Sequence, residues 1–212
     1  HNFVSICSIV QALGHQALTM RIVRLPGIHH DSNVVVVIGT AGNLVIDSGT
    51  SWYQSLQVER IMGVLGEDSL DRILLTSRRF PCSGGAKHIS QNFSDCPVHI
   101  HNDGQVSLES GDFFTTWANR FDSDMPSTDT LGVEDEEIFI LGDGQVSAIS
   151  VPGHSSDSMA FYVAEKKMLV AGALLPRADR PTRWDLPTGC LPDLVESLKH
   201  VKSIDLDSLV PL

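Results

Sequence analysis

One strand-to-helix loop carries the residues with the strongest chemical character. Residues 73–90 read ILLTSRRFPCSGGAKHIS, which is an apolar strand, a short polar loop and a Ser-Gly-Gly-Ala start of a helix. Loops at the carboxyl end of a strand commonly present reactive groups. This loop presents Ser77, Arg79, Pro81 and Cys82, a set that matches neither an ordinary metal site nor an acid–base pair.

Cys82 is the strongest nucleophile in the loop. It lies near the start of a predicted helix, with Arg78 and Arg79 close in sequence, and both features lower a thiol pKa. The alternative is an inert buried thiol, the commoner state of single cysteines. Ser77 is a weaker nucleophile because nothing in the sequence identifies its base. Arg79 is either a solubilising side chain or, if it faces a pocket, a site for a carboxylate or phosphate.

Length and composition restrict the class of protein. The chain has 212 residues, and its hydrophobic fraction of 42% and charged fraction of 19% are typical of a globular protein. The net charge of −11 makes nucleic acid an unfavourable partner, and no apolar run approaches the ~20 residues that span a bilayer.

The four cysteines lack C-x-x-C spacing, and the first residues do not resemble a signal peptide. We therefore expect a cytoplasmic protein without a nucleic-acid partner, membrane anchor or disulfide framework. The sequence does not specify its oligomeric state.

Alternating hairpin and helix patterns predict the fold. The predicted elements are helices at 3–18, 51–66, 83–93 and 191–202, hairpins at 33–49, 136–154 and 159–172, and single strands at 72–76, 96–101 and 207–212. Ser51 is the predicted cap of the second helix, with Trp52 and Leu56 on its apolar side. Residues 111–134 are long and polar, which favours an irregular active-site flap. This order predicts an α/β protein with two sheets covered by helices, a four-layer αββα sandwich.

Four segments, in this order, resemble the metallo-β-lactamase fold superfamily. They are NLVIDSG at 43–49, ILLTSRRFPCSGGA at 73–86, VPGHSSDSMAFY at 151–162 and LVAGALLP at 169–176. The resemblance extends from about Met20 to Leu212 and implies a single domain, residues 1–212, with a pocket at the strand ends. It also implies descent from a metal-dependent hydrolase, in which zinc activates a bound water molecule.

The resemblance assigns the family's metal-ligand positions to residues that are mostly unable to bind a metal. These positions are Ser77, Arg79, Pro81, Cys82, His154 and Ala173. Only His154 keeps its family identity, and Asp47, which in the family orients the site from behind the ligands, is also present. Arg79 stays protonated, and Pro81 and Ala173 carry no donor atom. We therefore expect the family's zinc to be lost and no cofactor to replace it.

Two classes of function remain. One is a metal-free or inactivated hydrolase derivative, with Cys82 as nucleophile and His154 as its base, because the family fold brings these positions together. Arg79 and Ser77 would complete that site. The other is a non-enzymatic scaffold or binding protein that keeps the fold and an anion-friendly cavity. In both, the partner is a small-molecule substrate or an anion.

A Pro- and Arg-rich loop supplies candidate substrate-binding residues. Residues 176–188 include Arg177, Arg183 and Trp184, which could recognise an anionic or aromatic substrate. The alternative is a loop held by Arg–Asp pairs and a packed Trp. In the family fold His30 lies on a loop near the pocket rim, with an ordinary surface position as the alternative.

Two further features raise the possibility of a rearranged chain. The residues that flank the ligand positions fit the family, while the residues at the ligand positions differ from it. This pattern is expected from engineering or from selection on a natural pseudoenzyme.

The chain also stops at SLVPL, where the family continues with a ligand His and a helix. It begins with HNFVSICSIVQALG, which resembles that missing piece. In a circular permutant His1 would take the seventh ligand position, within ~7 Å of Leu212, and residues 1–19 would be the displaced helix and linker. An ordinary N-terminal helix is the alternative.

Overall fold

The computed structural model describes residues 19–177 and 182–212. The predicted helix at 3–18 and His1 lie outside the described residues, so the circular permutation stays a prediction. The strands are β1 (Arg21–Leu25), β2 (Val34–Ile38), β3 (Asn43–Ile46), β4 (Arg72–Leu74), β5 (Val98–His101), β6 (Leu131–Val133), β7 (Ile138–Ile140), β8 (Gln145–Ser150), β9 (Met159–Val163), β10 (Met168–Gly172) and β11 (Ser208–Pro211). The α-helices are α1 (Gln54–Leu65), α2 (Phe80–Ser83), α3 (Ala86–Asn92), α4 (Asn102–Glu109) and α5 (Leu191–Ser203). Within these two ranges no helix is long and apolar enough to cross a membrane.

The strands form two sheets. The first has the order β1-β2-β3-β4-β5-β6, and it is antiparallel as far as β3 and parallel from β3 to β6. The second has the order β11-β10-β9-β8-β7 and is antiparallel except for the β10–β11 pair. The antiparallel pairs β2–β3, β7–β8 and β9–β10 confirm the three predicted hairpins. Their β-branched runs favour extended backbone, and short turns join them.

Alternate residues of β2 belong to different cores, as expected for a strand that is buried on both faces. Val34 and Val36 pack in a core with α1 and α3, whereas Val35 and Val37 pack in the core between the two sheets. A third core joins the outer face of the second sheet to α5. The layers therefore follow the order α-β-β-α, which confirms the predicted sandwich.

The start of α1 differs from the prediction. Ser51 begins a short 3-10 helix, Ser51–Tyr53, and the N-cap position of α1 is Tyr53. Ile61, which was also predicted on the apolar side, is buried, but Trp52 and Leu56 are nearly half exposed, because the buried side of α1 carries Val58 and Leu65. The predicted cap and part of the predicted apolar side are therefore wrong, although the helix itself is confirmed.

The region around 111–134 contains more regular structure than the sequence predicts. The unpredicted helix α4 precedes it, a 3-10 helix lies at Ala118–Phe121, and β6 closes it. The sequence of α4, NDGQVSLE, is polar and includes Gly104, and only Gly104, Ser107 and Leu108 of this helix are buried. Its apolar spacing is therefore too weak to identify a helix from sequence.

Candidate functional site

Strand ends from both sheets bring the predicted site residues together. Asp47 follows β3, the loop from Ser77 to Cys82 follows β4, and His154 and Ala173 follow β8 and β10. A cavity of about 330 Å³ lies at these strand ends, near the lower limit of small-molecule sites. Of the predicted site residues, those that line it are Arg79, Pro81, Cys82, His154, Ala173 and Arg183. Three hollows of larger volume, about 430, 560 and 500 Å³, are lined by other parts of the described surface.

Arg79 places a positive charge in the wall of this cavity. The residue is 3% exposed. Its Nη1 donates to the carbonyl of Thr115 at 2.6 Å, and its Nη2 donates to the carbonyls of Pro187 at 3.0 Å and His154 at 3.4 Å. Its Nε–H is buried and has no hydrogen-bond partner among the described residues. The guanidinium carbon also lies 5.4 Å from the ring centroid of Trp117, within the range of a cation–π contact. Burial lowers the pKa of Arg79 to about 10, so the group is still protonated at neutral pH.

The neighbouring Arg78 holds the loop in place. Its Nε lies 3.2 Å from Oδ1 of Asp157 in an ion pair whose geometry is not that of a hydrogen bond. The backbone N–H of Arg78 donates to Oδ2 of the same carboxylate at 2.6 Å, and both side chains are buried. The guanidinium also donates to the Thr188 hydroxyl at 2.6 Å and the Asp103 carbonyl at 3.1 Å. Arg78 is therefore a positioning residue, and no sequence spacing pointed to its partner Asp157.

Asp47 is buried next to this loop. Its Oδ1 accepts a hydrogen bond from the backbone N–H of Thr76 at 2.8 Å, and its Oδ2 accepts one from the Thr76 hydroxyl at 2.8 Å. Its backbone has a φ of +63°, a left-handed conformation that Asp adopts more readily than most residues. Burial raises the pKa of Asp47 to about 7, although the bonds from Thr76 oppose the shift. The carboxyl group thus fixes the start of the loop that follows β4.

The predicted lowering of the Cys82 thiol pKa is wrong. The side chain is fully buried, and its sulfur lies 3.6 Å from the hydroxyl oxygen of Thr76, whose proton is donated to Asp47. Burial, and then the Asp47 carboxylate, raise the pKa of the Cys82 thiol well above its usual range. The two arginines do not reverse this, because Arg78 is paired with Asp157 and the desolvation of the buried thiol outweighs the charge of Arg79. The thiol is therefore protonated at neutral pH.

Ser77 belongs to a buried chain of hydroxyl groups. Its Oγ accepts a hydrogen bond from the backbone N–H of Arg79 at 3.2 Å and lies 3.4 Å from Oγ of Ser155. Ser155 Oγ in turn lies 3.0 Å from Oγ of Ser158. A hydroxyl is too weak a base to remove the proton of another hydroxyl. These contacts therefore position the loop and do not activate Ser77.

His154 presents a neutral imidazole to the cavity. Its Nδ1 lies 3.0 Å from the carbonyl oxygen of Arg183 and 2.9 Å from the Thr182 hydroxyl. Because a carbonyl oxygen only accepts, Nδ1 carries the proton and Nε2 is left as an acceptor. Burial, and then the Arg79 cation, lower the pKa of this partly exposed residue to about 4. At neutral pH the ring can thus accept a hydrogen bond from a ligand.

Of the four predicted substrate-binding residues, Arg183 lines the cavity. It is exposed and forms an ion pair with Asp185 at 2.8 Å, as the alternative of a loop held by Arg–Asp pairs predicts. Arg177 and Trp184 are exposed and lie outside the described cavity lining. His30 is also exposed. Its ring centroid lies 5.5 Å from that of Phe121, a residue of the cavity wall, in an edge-to-face arrangement. A substrate-binding role for these three residues stays a prediction.

Sequence reasoning missed the aromatic wall of the cavity. Trp117 and Phe121 line it together with Leu186. Three guanidinium carbons surround the indole ring of Trp117, those of Arg79 at 5.4 Å, Arg120 at 5.7 Å and Arg183 at 5.6 Å. The available signal was a pair of aromatic residues four positions apart inside the polar segment 111–134. An active-site flap in that segment was predicted without identifying the side chains that would contact a ligand.

The residues at the six aligned ligand positions do not form a donor set for a metal ion. Arg79 is a cation at neutral pH. Ser77 is a poor neutral ligand, and Pro81 and Ala173 have no donor side chain, which leaves Cys82 and His154 as two strong donors, fewer than the three or four that a zinc site needs. In residues 19–177 and 182–212 no three His, Cys, Asp or Glu side chains are grouped so that they could hold a metal ion. The side chains described here do not fit the zinc centre that the resemblance implies.

The last strand ends at the cavity. β11 runs parallel to β10, and the next residue, Leu212, lines the cavity together with Ala173. The backbone N–H of Leu212 donates to the carbonyl of Leu175 at 2.9 Å. The strand thus brings the chain to the site, as the resemblance predicts, while the predicted neighbour His1 lies outside the described residues.

A family model and several known proteins match this chain. The model described as the metallo-beta-lactamase superfamily matches residues 28–211. The "probable metallo-hydrolase MJ0888" of Methanocaldococcus jannaschii is 26% identical over 195 residues, which cover 90% of this chain and 91% of that protein. The crystal structure of TTHA1623 in a di-iron-bound form superposes with a TM-score of 0.73 and 25% identity over 90% of each chain. The B3 metallo-β-lactamase BLEG-1 has a TM-score of 0.74 at 22% identity, again over 90% of each chain, and shows the shared fold.

Proposed function

This chain belongs to the metallo-β-lactamase superfamily, and we propose that it is a metal-independent binding protein for a small molecule. The ligand lies in the cavity at the strand ends. The fold is that of a hydrolase family, but the function does not depend on a metal-bound water.

One observation carries this proposal: the buried guanidinium of Arg79 lines the cavity where the family places a metal ligand. A fixed cation at this position repels a metal ion and attracts an anion. Two relatives have a metal in their names, the probable metallo-hydrolase and the di-iron-bound structure, and that metal is a property of those proteins. In this chain a positive side chain takes the place of the positive ion.

The candidate nucleophiles favour binding over covalent catalysis. The Cys82 thiol is buried and protonated, and it contacts the Thr76 hydroxyl and the Asp47 carboxyl group. Asp47 does not activate the thiol, because burial and the negative charge of the carboxylate both oppose formation of a thiolate. The Ser77 hydroxyl contacts a neighbouring hydroxyl, and no carboxylate or imidazole bonds to it among the described residues, so it lacks the adjacent base that activates a nucleophile.

The test is the metal content of the protein together with its response to metal. Protein purified without a metal column and dialysed against EDTA should contain well under one zinc ion per chain by elemental analysis. Its unfolding midpoint should not change when zinc is added, because no folded-state site binds the ion. Stoichiometric zinc that resists the chelator would overturn the proposal. A variant that restores donors (Ser77→His, Arg79→His, Pro81→Asp, Cys82→His, Ala173→Asp) is the positive control for zinc uptake.

Slow metal-independent hydrolysis is a second candidate function. The observation that favours it is that the neutral His154 and the cation Arg79 line the same cavity. Nε2 of His154 could remove a proton from water while Arg79 stabilises a developing oxyanion. A pKa of about 4 makes this imidazole a weak base. Ester, lactone, β-lactam and phosphodiester substrates should be tested in EDTA, and a rate that is lost in His154→Gln would establish this function over simple binding.

A further inference from the structure

We infer that the ligand of the cavity is a small organic monocarboxylate with an apolar body, and that its carboxylate binds Arg79. The inference rests on the proposed binding function and specifies its ligand. Three features of the cavity carry it: an unmatched charge, uncommitted donors and apolar walls.

The cavity wall contains a positive charge, Arg79, that has no ion-pair partner of its own. Among the described residues Arg79 forms no ion pair, whereas Arg183 pairs with Asp185. Asp157 attracts Arg79 from a distance, but this carboxylate is paired with Arg78, so one carboxylate serves two buried guanidinium groups. The residues that line the described cavity include no acidic side chain. A buried cation without a paired anion is unfavourable, so an anion in the cavity would be stabilised by Arg79.

The guanidinium of Arg79 keeps donors for such an anion. It has five N–H groups, and three of them donate to carbonyl oxygens. One Nη1–H is left, and the Nε–H has no partner among the described residues but is covered by neighbouring atoms, so a ligand oxygen reaches it by displacing them. The bond to the His154 carbonyl is the longest of the three, at 3.4 Å, and is the easiest to exchange for a ligand oxygen. Two oxygens of one carboxylate match two donors of one guanidinium.

The other walls select an apolar body. They are formed largely by Pro81, Trp117, Phe121, Ala173, Leu186 and Leu212. A nucleotide or sugar phosphate would place several hydroxyl groups or charges against these walls without partners, at a large cost in desolvation. A volume of about 330 Å³ also favours a small ligand. An aromatic or aliphatic monocarboxylate satisfies both the charge and the walls.

Three matched probes test this ligand class on the native protein. Phenylacetate has both features, phenylacetamide keeps the shape without the charge, and acetate keeps the charge without the body. We expect phenylacetate to bind at least about tenfold more tightly than either control, measured by calorimetry or ligand-observed NMR at constant ionic strength. Phenyl phosphate tests the alternative anion, and tighter binding of phenyl phosphate than of phenylacetate would overturn the carboxylate assignment.

Variants locate the charge that is recognised. Arg79→Gln should remove the preference for phenylacetate over phenylacetamide, and Arg79→Lys should keep part of it as a point charge. Arg120→Gln is the matched control, because Arg120 contacts the same indole ring but lies outside the described cavity lining, and it should keep the preference. If Arg79→Gln does not fold, the affinities of the native protein for phenylacetate and phenylacetamide still show whether the carboxylate charge contributes to binding.

The outcomes separate the ligand class from the proposed function. Equal affinities of native protein for phenylacetate and phenylacetamide, or no measurable binding of phenylacetate, would overturn the monocarboxylate inference. Neither result would bear on metal independence. Retained zinc would overturn the proposed function instead, whatever the affinities of the carboxylates.

Discussion

At Cys82, burial decides the chemistry of the thiol. Sequence neighbours favour a reactive thiolate, but the folded environment raises the pKa of the thiol, mainly through desolvation. We therefore expect iodoacetamide to modify Cys190, which is partly exposed, while Cys82 stays unmodified in the native protein. Mass spectrometry of the labelled peptides measures this, and labelling in denaturant is the control in which both residues react. Native-state modification of Cys82 as fast as that of Cys190 would contradict the burial argument.

The carboxyl group of Asp47 should make stability depend on pH. Its pKa is about 7 in the folded protein, against 3.8 as the unperturbed value, so the folded state holds the proton more tightly between these values. The contribution of this group to the free energy of unfolding is greatest below pH 4 and decreases as the pH rises towards 7. Asn at this position does not ionise, so Asp47→Asn removes that loss. We therefore expect the free energy of unfolding of the variant, relative to that of the wild type, to rise by at most about 1.4 kcal/mol per pH unit from pH 4 to pH 7.

Chemical unfolding at several pH values between 4 and 8 measures this effect. Asp143→Asn is the matched control, because a backbone hydrogen bond from Thr40 lowers the pKa of Asp143. Its ionisation is complete above the unperturbed pKa, so its effect on stability should be constant from pH 5 to 8. Parallel pH profiles of wild type and Asp47→Asn would show that the carboxyl group does not titrate in this range.

At the scale of the element, one buried ion pair holds the loop after β4. Arg78 and Asp157 join this loop to the turn between β8 and β9, and both side chains are buried. Removing one member of a buried pair leaves the other charge uncompensated, so we expect Asp157→Asn to lower the free energy of unfolding by about 3–5 kcal/mol. Asp185→Asn is the matched control: it breaks an exposed pair with Arg183 and should cost about 1 kcal/mol or less.

Denaturant unfolding of both variants decides this prediction. A cost for Asp157→Asn as small as that for Asp185→Asn would mean that the loop is held by its other hydrogen bonds. These include the bond from the Arg78 guanidinium to Thr188 and the bond from the Ser83 hydroxyl to the Arg78 carbonyl at 2.7 Å.

Local signals explain which elements could be predicted from sequence. The hairpins were predictable because β-branched runs and short turns act within a few residues. The position of the loop after β4 beside the cavity was predictable because the loop follows a buried strand. Helix α4 was not, because its polar sequence buries little. The pKa of Cys82 was not either, since it depends on Asp47, a residue of another strand end, and on burial by the whole fold.

At the scale of the whole molecule, the two sheets meet at Thr76. Its carbonyl accepts the backbone N–H of Met159, at the start of β9, at 2.8 Å, while its hydroxyl bonds to Asp47, at the end of β3. Gly172, the last residue of β10, lies against the Thr76 side chain. The cavity therefore lies at strand ends where the two sheets are joined through Thr76, and we expect its geometry to depend on that contact.

Two Gly→Ala substitutions should have opposite effects on stability. At Gly172 the backbone has a φ of +50°, and an added Cβ would lie 2.3 Å from the Thr76 side chain. Both the left-handed backbone and the overlap oppose alanine, so we expect Gly172→Ala to lower the free energy of unfolding by about 2–4 kcal/mol.

The matched control is Gly63 in the middle of α1, where an added Cβ meets no atom within 4 Å in the described structure. Alanine restricts the unfolded chain and favours the helix, so Gly63→Ala should raise the free energy of unfolding by about 0.5–1 kcal/mol. Chemical unfolding of the two variants measures both signs. If Gly172→Ala is as stable as Gly63→Ala, the sheets can move apart at Thr76 without cost, and the close approach does not set the position of the cavity wall.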